Sequence, residues 1–169
     1  MLKKFVVAAM CLLPVAGFAQ NFKFGNINSQ EIFEAMPERQ TIQQEMEALN
    51  SKYEKELQKM GEEYEKKVSD LINAKDSLPE NIKTRRAQEI SELEQRIQNF
   101  RQVAYQDFQQ QQQQKMAPVF EKISNAIKAV GQENGFTYIF DLSNSGILYY
   151  SEQNTVDCLP LVKAKLGLK

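Results

Sequence analysis

The chain has 169 residues, with 21 basic and 22 acidic side chains and no histidine. Near-neutral charge without a basic block disfavours nucleic-acid binding, which depends on neutralising phosphates with Lys and Arg. There is also no glycine-rich phosphate loop and no cysteine pair after residue 19, so we expect no enzyme activity, no cofactor and no metal site.

Residues 1–19 are typical of a secretory signal peptide. Lys3 and Lys4 precede an apolar run over 5–16, and Gly17 and Ala19 supply the small residues of a cleavage site. The apolar run is about twelve residues long, whereas a bilayer span needs roughly twenty, so a retained membrane anchor is disfavoured.

A lipid-modified Cys11 is disfavoured as well, because Met10 before it is not a small residue. The predicted mature chain begins near Gln20 and carries a net charge of 19 minus 22, or −3. Its single cysteine, Cys158, lies in an apolar tail, which is typical of a buried, unreactive thiol.

The predicted mature chain starts with a strand and a short helix. Residues 22–28, FKFGNIN, alternate as a strand does. Asn28 and Glu31 then have the spacing of a capping box at the start of a helix.

The long middle segment predicts two antiparallel helices. The apolar residues of its first stripe repeat every eleven residues. Eleven residues in three turns are about 3.67 per turn, which is close to the 3.6 of a straight helix. Asp76 and Ser77 are typical N-cap residues, and Pro79 suits the first turn of a second helix, so the chain is expected to reverse near 74–79. The first stripe consists of Ile42, Met46, Leu49, Tyr53, Leu57, Met60, Tyr64, Val68 and Leu71.

The second stripe matches the first when the chain is folded at residue 77. Paired positions then sum to 153 or 154, as Tyr53 and Phe100 do, and seven of eight layers are apolar on both sides. In the eighth layer, Arg86 can lay its aliphatic stem along Val68. The second stripe consists of Ile82, Arg86, Ile90, Leu93, Ile97, Phe100, Ala104 and Phe108.

Six consecutive glutamines, 109–114, follow the second stripe. Glutamine is a good helix former and helical patterns flank the run, which favours a continued helix over the alternative of a disordered tract. The same register sets Pro118 opposite Pro37, and we predict a hinge there because two prolines at one level would kink both helices.

The C-terminal part completes a small body built from 20–36 and 118–169, with the helical arm over 37–117. An apolar helical face after Pro118 is expected to stop at Gly131. The segments FTYIFDL and GILYYS predict a β-hairpin joined by SNSG. Asp157 is expected to cap a terminal helix that has Pro160 in its first turn.

A body of about 69 residues has a marginal core of its own. It nevertheless carries many aromatic side chains, so we expect some of them to face another copy of the chain. The expected oligomerisation residues are Phe22, Phe24, Tyr138, Phe140 and Tyr149.

The terminal stretches KFGNINSQEIFEAMPE and GFTYIFDLSNSGILYYSEQNTVD, on either side of a long charged hairpin, resemble the Skp/OmpH family of periplasmic chaperones. The resemblance implies an α+β fold in which a long antiparallel α-helical hairpin arm projects from a small β-sheet oligomerisation body with a C-terminal helix. It also implies a periplasmic homotrimer that encloses unfolded outer-membrane proteins without ATP.

The arm departs from the basic arms of the family, because residues 37–118 hold 13 basic and 15 acidic side chains. Membrane or lipid contact is therefore expected to be weak. The expected client contacts are apolar residues off the stripes: Ile72, Leu78, Val103 and Tyr105. The alternative function is a structural or adaptor coiled-coil protein of the cell envelope.

Overall fold

The computed structural model describes residues 22–74, 76–143 and 146–168, so the predicted signal peptide and Cys11 lie outside the described residues. Two long helices and a small sheet form the predicted α+β fold, with a helical hairpin arm. The elements in chain order are β1 (Phe24–Ile27), α1 (Ser29–Ala35), α2 (Pro37–Asn73), α3 (Glu80–Glu133), β2 (Tyr138–Asp141), β3 (Val156–Asp157) and α4 (Leu159–Leu166).

Helices α2 and α3 pack along each other in opposite directions and form the arm. The rings of Tyr53 and Phe100 meet edge to face with centroids 6.1 Å apart, which confirms that predicted layer. The Tyr53 hydroxyl also donates to Asp107 across the pair, which raises the pKa of the tyrosine. Most of the stripe is only half-buried, because two helices alone cover one side of each side chain; the buried members are Met46, Leu93 and Ala104.

The glutamine run is helical, because α3 continues without a break through Gln109–Gln114 and on to Glu133. The continued-helix interpretation is confirmed. Gln111 and Gln112 are half-buried and the other four glutamines are exposed.

The two prolines occupy different helical positions. Pro118 lies inside α3, whereas Pro37 is the first residue of α2 and follows the extended Met36. A proline at that first position interrupts no helical hydrogen bond. The predicted kink in both helices is therefore wrong for α2, and a hinge at Pro118 stays a prediction.

The reversal between the helices spans Ala74–Pro79. Ser77 donates to the Ala74 carbonyl (3.0 Å) and caps the end of α2. Neither Ser77 nor Asp76 is the N-cap of α3. Pro79 holds that position, because its extended backbone lets its carbonyl accept from Ile82 N at 3.0 Å. The predictions of Asp76 or Ser77 as N-cap and of Pro79 inside the first turn were wrong.

The sheet has the order β2-β1-β3, and both pairings are parallel. Phe24 pairs with Tyr138, and Gly25 pairs with Val156. The predicted antiparallel hairpin was wrong: FTYIFDL supplies β2, but residues 146–151 form no strand. The third strand is instead Val156–Asp157, which is held beside β1 because the following Cys158 is buried in the core.

The core lies between the sheet, α1, α4 and the C-terminal third of α3. Cys158 is fully buried, as predicted, and burial raises the pKa of its thiol while the Asp157 carboxylate raises it further. Segments far apart along the chain, around residues 27–36 and 158–162, meet in this core. The buried cluster consists of Ile27, Ile32, Met36, Val119, Ile123, Ala126, Val130, Cys158 and Val162.

The helix ends show how the sequence sets the element boundaries. Asn28 caps α1 as predicted, accepting from Glu31 N and donating to the Glu31 carboxylate. Helix α3 ends two residues after the predicted stop at Gly131, because Gly135 (φ 67°) adopts the left-handed conformation that closes it. Asp157 lies one residue before the N-cap of α4, yet its carboxylate accepts from Leu159 N at 2.9 Å.

Asp141 joins the end of β2 to the start of α1. Its carboxylate accepts hydrogen bonds from the backbone N–H groups of Ser29 (3.1 Å) and Ser143 (3.0 Å) and from both hydroxyls. Burial alone would raise the pKa of Asp141, but these hydrogen bonds outweigh burial and lower the pKa below its usual range.

We expect Asp141→Asn to lower the free energy of unfolding by about 1–3 kcal/mol, because an amide nitrogen would face hydrogen-bond donors. A lowered folded-state pKa stabilises the fold above the unfolded value of about 3.9, and this stabilisation is lost as the pH falls through the folded value. Measured by urea unfolding, the free energy of unfolding should therefore fall less between pH 6 and pH 2 in the variant than in the parent protein. The same pH dependence in both proteins would contradict this role of Asp141. Asp76→Asn, in the exposed turn, is the control.

Candidate functional site

One face of the sheet is aromatic and open to solvent. Because side chains alternate along a strand, Gly25 and Ile27 face the core, while Phe24 faces outward. The structure brings four predicted oligomerisation residues together with ring centroids 5.9–6.3 Å apart. We call this cluster the aromatic face: Phe22, Phe24, Tyr138 and Phe140.

The aromatic face has no cover from the described chain, since Phe22, Tyr138 and Phe140 are exposed and Phe24 is half-buried. The fifth predicted residue, Tyr149, does not join the stacked rings but is 84% exposed. Leu148 beside it is completely exposed, and the prediction missed it. The aromatic face and the segment with Leu148 and Tyr149 are together typical of a surface that associates with another chain.

The arm presents isolated apolar side chains among charges. Ile72, Val103 and Tyr105 are 65%, 61% and 67% exposed, as their positions off the stripes predict. Leu78, in contrast, is half-buried in the turn, so it offers less surface than expected.

A groove lies at the base of the arm, between α1, α2 and α3, and has a volume of about 510 Å³. Phe33 on α1 stacks on Phe120 beside it, with ring centroids 5.1 Å apart. The stripes do not predict this pair, because α1 lies outside the repeat. We call this the base groove; its apolar floor consists of Phe33, Ile42, Met46, Phe108 and Met116.

Three basic side chains at the arm tip are paired with carboxylates. Glu89 lies 3.6 Å from Lys67 and 3.3 Å from Arg85, and Lys83 lies 3.3 Å from Glu80. These pairs reduce the free positive charge at the tip. Lipid contact at the tip is therefore expected to be weak.

Within 22–74, 76–143 and 146–168, no group of three or more acidic, cysteine or histidine side chains is arranged to hold a metal ion. In the same ranges, no helix combines the length and apolarity needed to cross a membrane. The aromatic face, the arm and the base groove each present apolar side chains at the surface.

The fold and these surfaces define a class of proteins in which a helical hairpin arm stands on a small aromatic sheet. The family described as "Outer membrane protein (OmpH-like)" matches residues 23–166. The chain belongs to this family, the Skp/OmpH family.

Two relatives are named chaperone protein Skp. The one from Yersinia enterocolitica is 24% identical over 164 residues, covering 96% of this chain and 100% of the relative. The one from Pectobacterium atrosepticum is 21% identical over 165 residues, with the same coverage. The crystal structure of a Caulobacter crescentus protein described as OmpH-like superposes with a TM-score of 0.72 at 12% identity, covering 86% of this chain and 83% of that one. The structural likeness supports the fold.

Proposed function

We propose that this protein is a periplasmic holdase chaperone, which binds unfolded outer-membrane proteins and prevents their aggregation without ATP. The observation that carries the proposal is the arm surface, where exposed Ile72, Val103 and Tyr105 stand among charged side chains. Unfolded outer-membrane strands alternate apolar and polar residues, so a host with many weak apolar contacts can hold them. The names of the two Skp relatives support the same function.

We propose further that the protein acts as a homotrimer, joined through the aromatic face and the segment around Tyr149. Three arms would then project from one joined body and enclose a client between them. A single arm is only one helical pair wide, so a cage requires several copies. The uncovered rings of the aromatic face supply apolar area for this association.

The direct test dilutes a urea-denatured outer-membrane β-barrel into buffer with the purified mature protein, nucleotide omitted. Light scattering reports aggregation, and chromatography sizes the complex. Suppressed aggregation with three copies for each client supports the proposal. Unchanged aggregation with a folded oligomer would contradict it and would favour the envelope adaptor, which should bind one folded partner.

The arm surface makes a specific prediction. Replacing Ile72, Val103 and Tyr105 by serine should weaken client binding about tenfold, because three contacts of about 0.5 kcal/mol each are lost. Fluorescence titration of a labelled, unfolded client measures this change.

The matched control for the arm surface replaces three exposed glutamines of α3, Gln98, Gln102 and Gln106, by serine. Client binding by this control should stay within twofold of the parent, about 0.4 kcal/mol. Equal weakening in both variants, or none in either, would remove the three apolar residues from the site.

We also propose that the arm flexes at Pro118, which lacks the N–H group that would bond to the Gln114 carbonyl. Two ion pairs flank this level across the helices, Lys115–Glu45 and Lys122–Glu38, each at 2.6 Å. Pro118→Ala should restore the helical hydrogen bond and narrow the distribution of arm angles, measured by distances between spin labels on the arm and the body. An unchanged distribution would place the flexible point elsewhere.

A further inference from the structure

The base groove is a long channel with a defined direction. Its wall on α2 runs from Arg39 to Glu54, a rise of about 22 Å at 1.5 Å per residue. An extended peptide of about six or seven residues has this length. The floor includes Met46 and Met116, whose flexible side chains adapt to different apolar partners.

The two ends of the groove carry opposite charges. Arg39 lies at the end nearest the body, with its guanidinium 5.9 Å from the centre of the Phe33 ring. Glu54 lies at the end toward the tip and Glu47 about midway along the groove. Their carboxylates accept hydrogen bonds from the neutral amides of Asn50 (2.7 Å) and Gln43 (3.0 Å), respectively. Within the described residues, none of these three charges forms a salt bridge, although several other arm charges do.

Apart from Glu47, the rim between Arg39 and Glu54 is uncharged and polar. Gln43, Asn50, Ser51 and Gln112 line it, so hydrogen-bond donors and acceptors stand above an apolar floor. Amide side chains can bond both the N–H and the C=O groups of a peptide backbone. An extended strand, whose backbone groups have no partners of their own, matches this rim better than a helix does.

We propose that the base groove binds one extended client segment whose side chains alternate apolar and polar, with an acidic residue near Arg39 and a basic residue near Glu47 and Glu54. The groove thereby selects segments with opposite charges at their two ends. This inference rests on the proposed holdase function and assigns a sequence preference to it. The charge complementarity adds to the many weak apolar contacts of the arm surface.

The test uses three fluorescent seven-residue peptides with blocked ends, in which Phe, Val and Leu alternate with Thr and Asn between the two terminal residues. The first carries a terminal Asp and a terminal Lys, the second carries Asp at both ends, and the third carries Lys at both ends. In low salt, fluorescence anisotropy should show about fivefold tighter binding of the first peptide, because surface ion pairs contribute up to about 1 kcal/mol.

Charge reversal in the protein locates the site. Arg39→Glu should remove the preference for the first peptide, and so should Glu47→Lys combined with Glu54→Lys. The triple variant, Arg39→Glu with Glu47→Lys and Glu54→Lys, should recover the preference, because its groove again has opposite ends. Arg96→Glu, at an exposed position outside the groove, should change nothing, and circular dichroism confirms that each variant is helical.

The outcomes separate this inference from the proposed function. Equal binding of the three peptides, with client aggregation still suppressed, would overturn the groove and leave the holdase function standing. Failure of both assays would overturn the holdase function itself. If Arg39→Glu instead dissociated the oligomer and no variant bound peptide, the groove would be an interface between copies of this chain, and the inference would also be overturned.

Discussion

Gly25→Ala should lower the free energy of unfolding by about 2–3 kcal/mol, the upper range for overpacking a core. A Cβ atom at this position would lie 2.5 Å from the Cys158 Sγ atom and 3.2 Å from both Ile139 Cγ1 and Phe136 Cε1. Gly25 lies in the central strand, between β2 and β3, so the backbone has little freedom to shift. Urea or thermal unfolding of the purified protein measures the loss.

The clash with Cys158 can be isolated with a double variant. Cys158→Ala removes the Sγ atom, so Gly25→Ala should cost less in that background than in the parent protein. If its cost were the same in both backgrounds, the sulfur would not be the obstacle. Gly61→Ala is the matched control, because its added Cβ meets nothing within 4 Å beyond its chain neighbours and the backbone of its own helix, and alanine favours the helix by up to about 1 kcal/mol.

Replacing Tyr138 and Phe140 by serine should convert the proposed oligomer into single chains. Both rings belong to the aromatic face, and burying an aromatic side chain contributes about 1.5 kcal/mol or more. Two such losses weaken each interface by about 100-fold or more. The fold should persist, because Ile139, the inward residue between them, still packs on the core. Sedimentation at micromolar concentration measures the mass.

Tyr105→Ser is the control for this change, since it removes an exposed aromatic ring from the arm and should leave the mass unaltered. An oligomer that survives the double substitution would place the interface outside the aromatic face, with the segment around Tyr149 as the next candidate. A parent protein that sediments as a single chain would contradict the homotrimer itself.

The long helices were predictable because their signals are local and repeated. The eleven-residue period of the stripe requires helix, and matching two stripes around one turn requires an antiparallel pair. Helix propensity also outweighed the tendency of glutamine runs to be disordered, so α3 continues through Gln109–Gln114. The capping of α1 by Asn28 follows from a signal only three residues long.

The sheet was not predictable in the same way. GILYYS has the composition of a strand, yet it forms none, because strand composition does not specify which edge is available for pairing. The parallel pairing of β1 with β2 and β3 joins residues more than 100 positions apart, and no local pattern encodes such a pairing. The base groove was missed for a related reason, since Phe33 reaches it from α1, outside the stripe.

The sequence by itself determined the family, the α+β class and the helical arm, because these depend on periodicity, capping residues and terminal motifs that lie close together along the chain. The tertiary structure alone decided the strand order, the partial burial of Leu78, the position of Pro37 and the grouping of the aromatic face. Each of these depends on which distant segments share one core. In that core Cys158 and Val162 share one buried cluster with Ile27 and Val130, a contact between segments that no local pattern encodes.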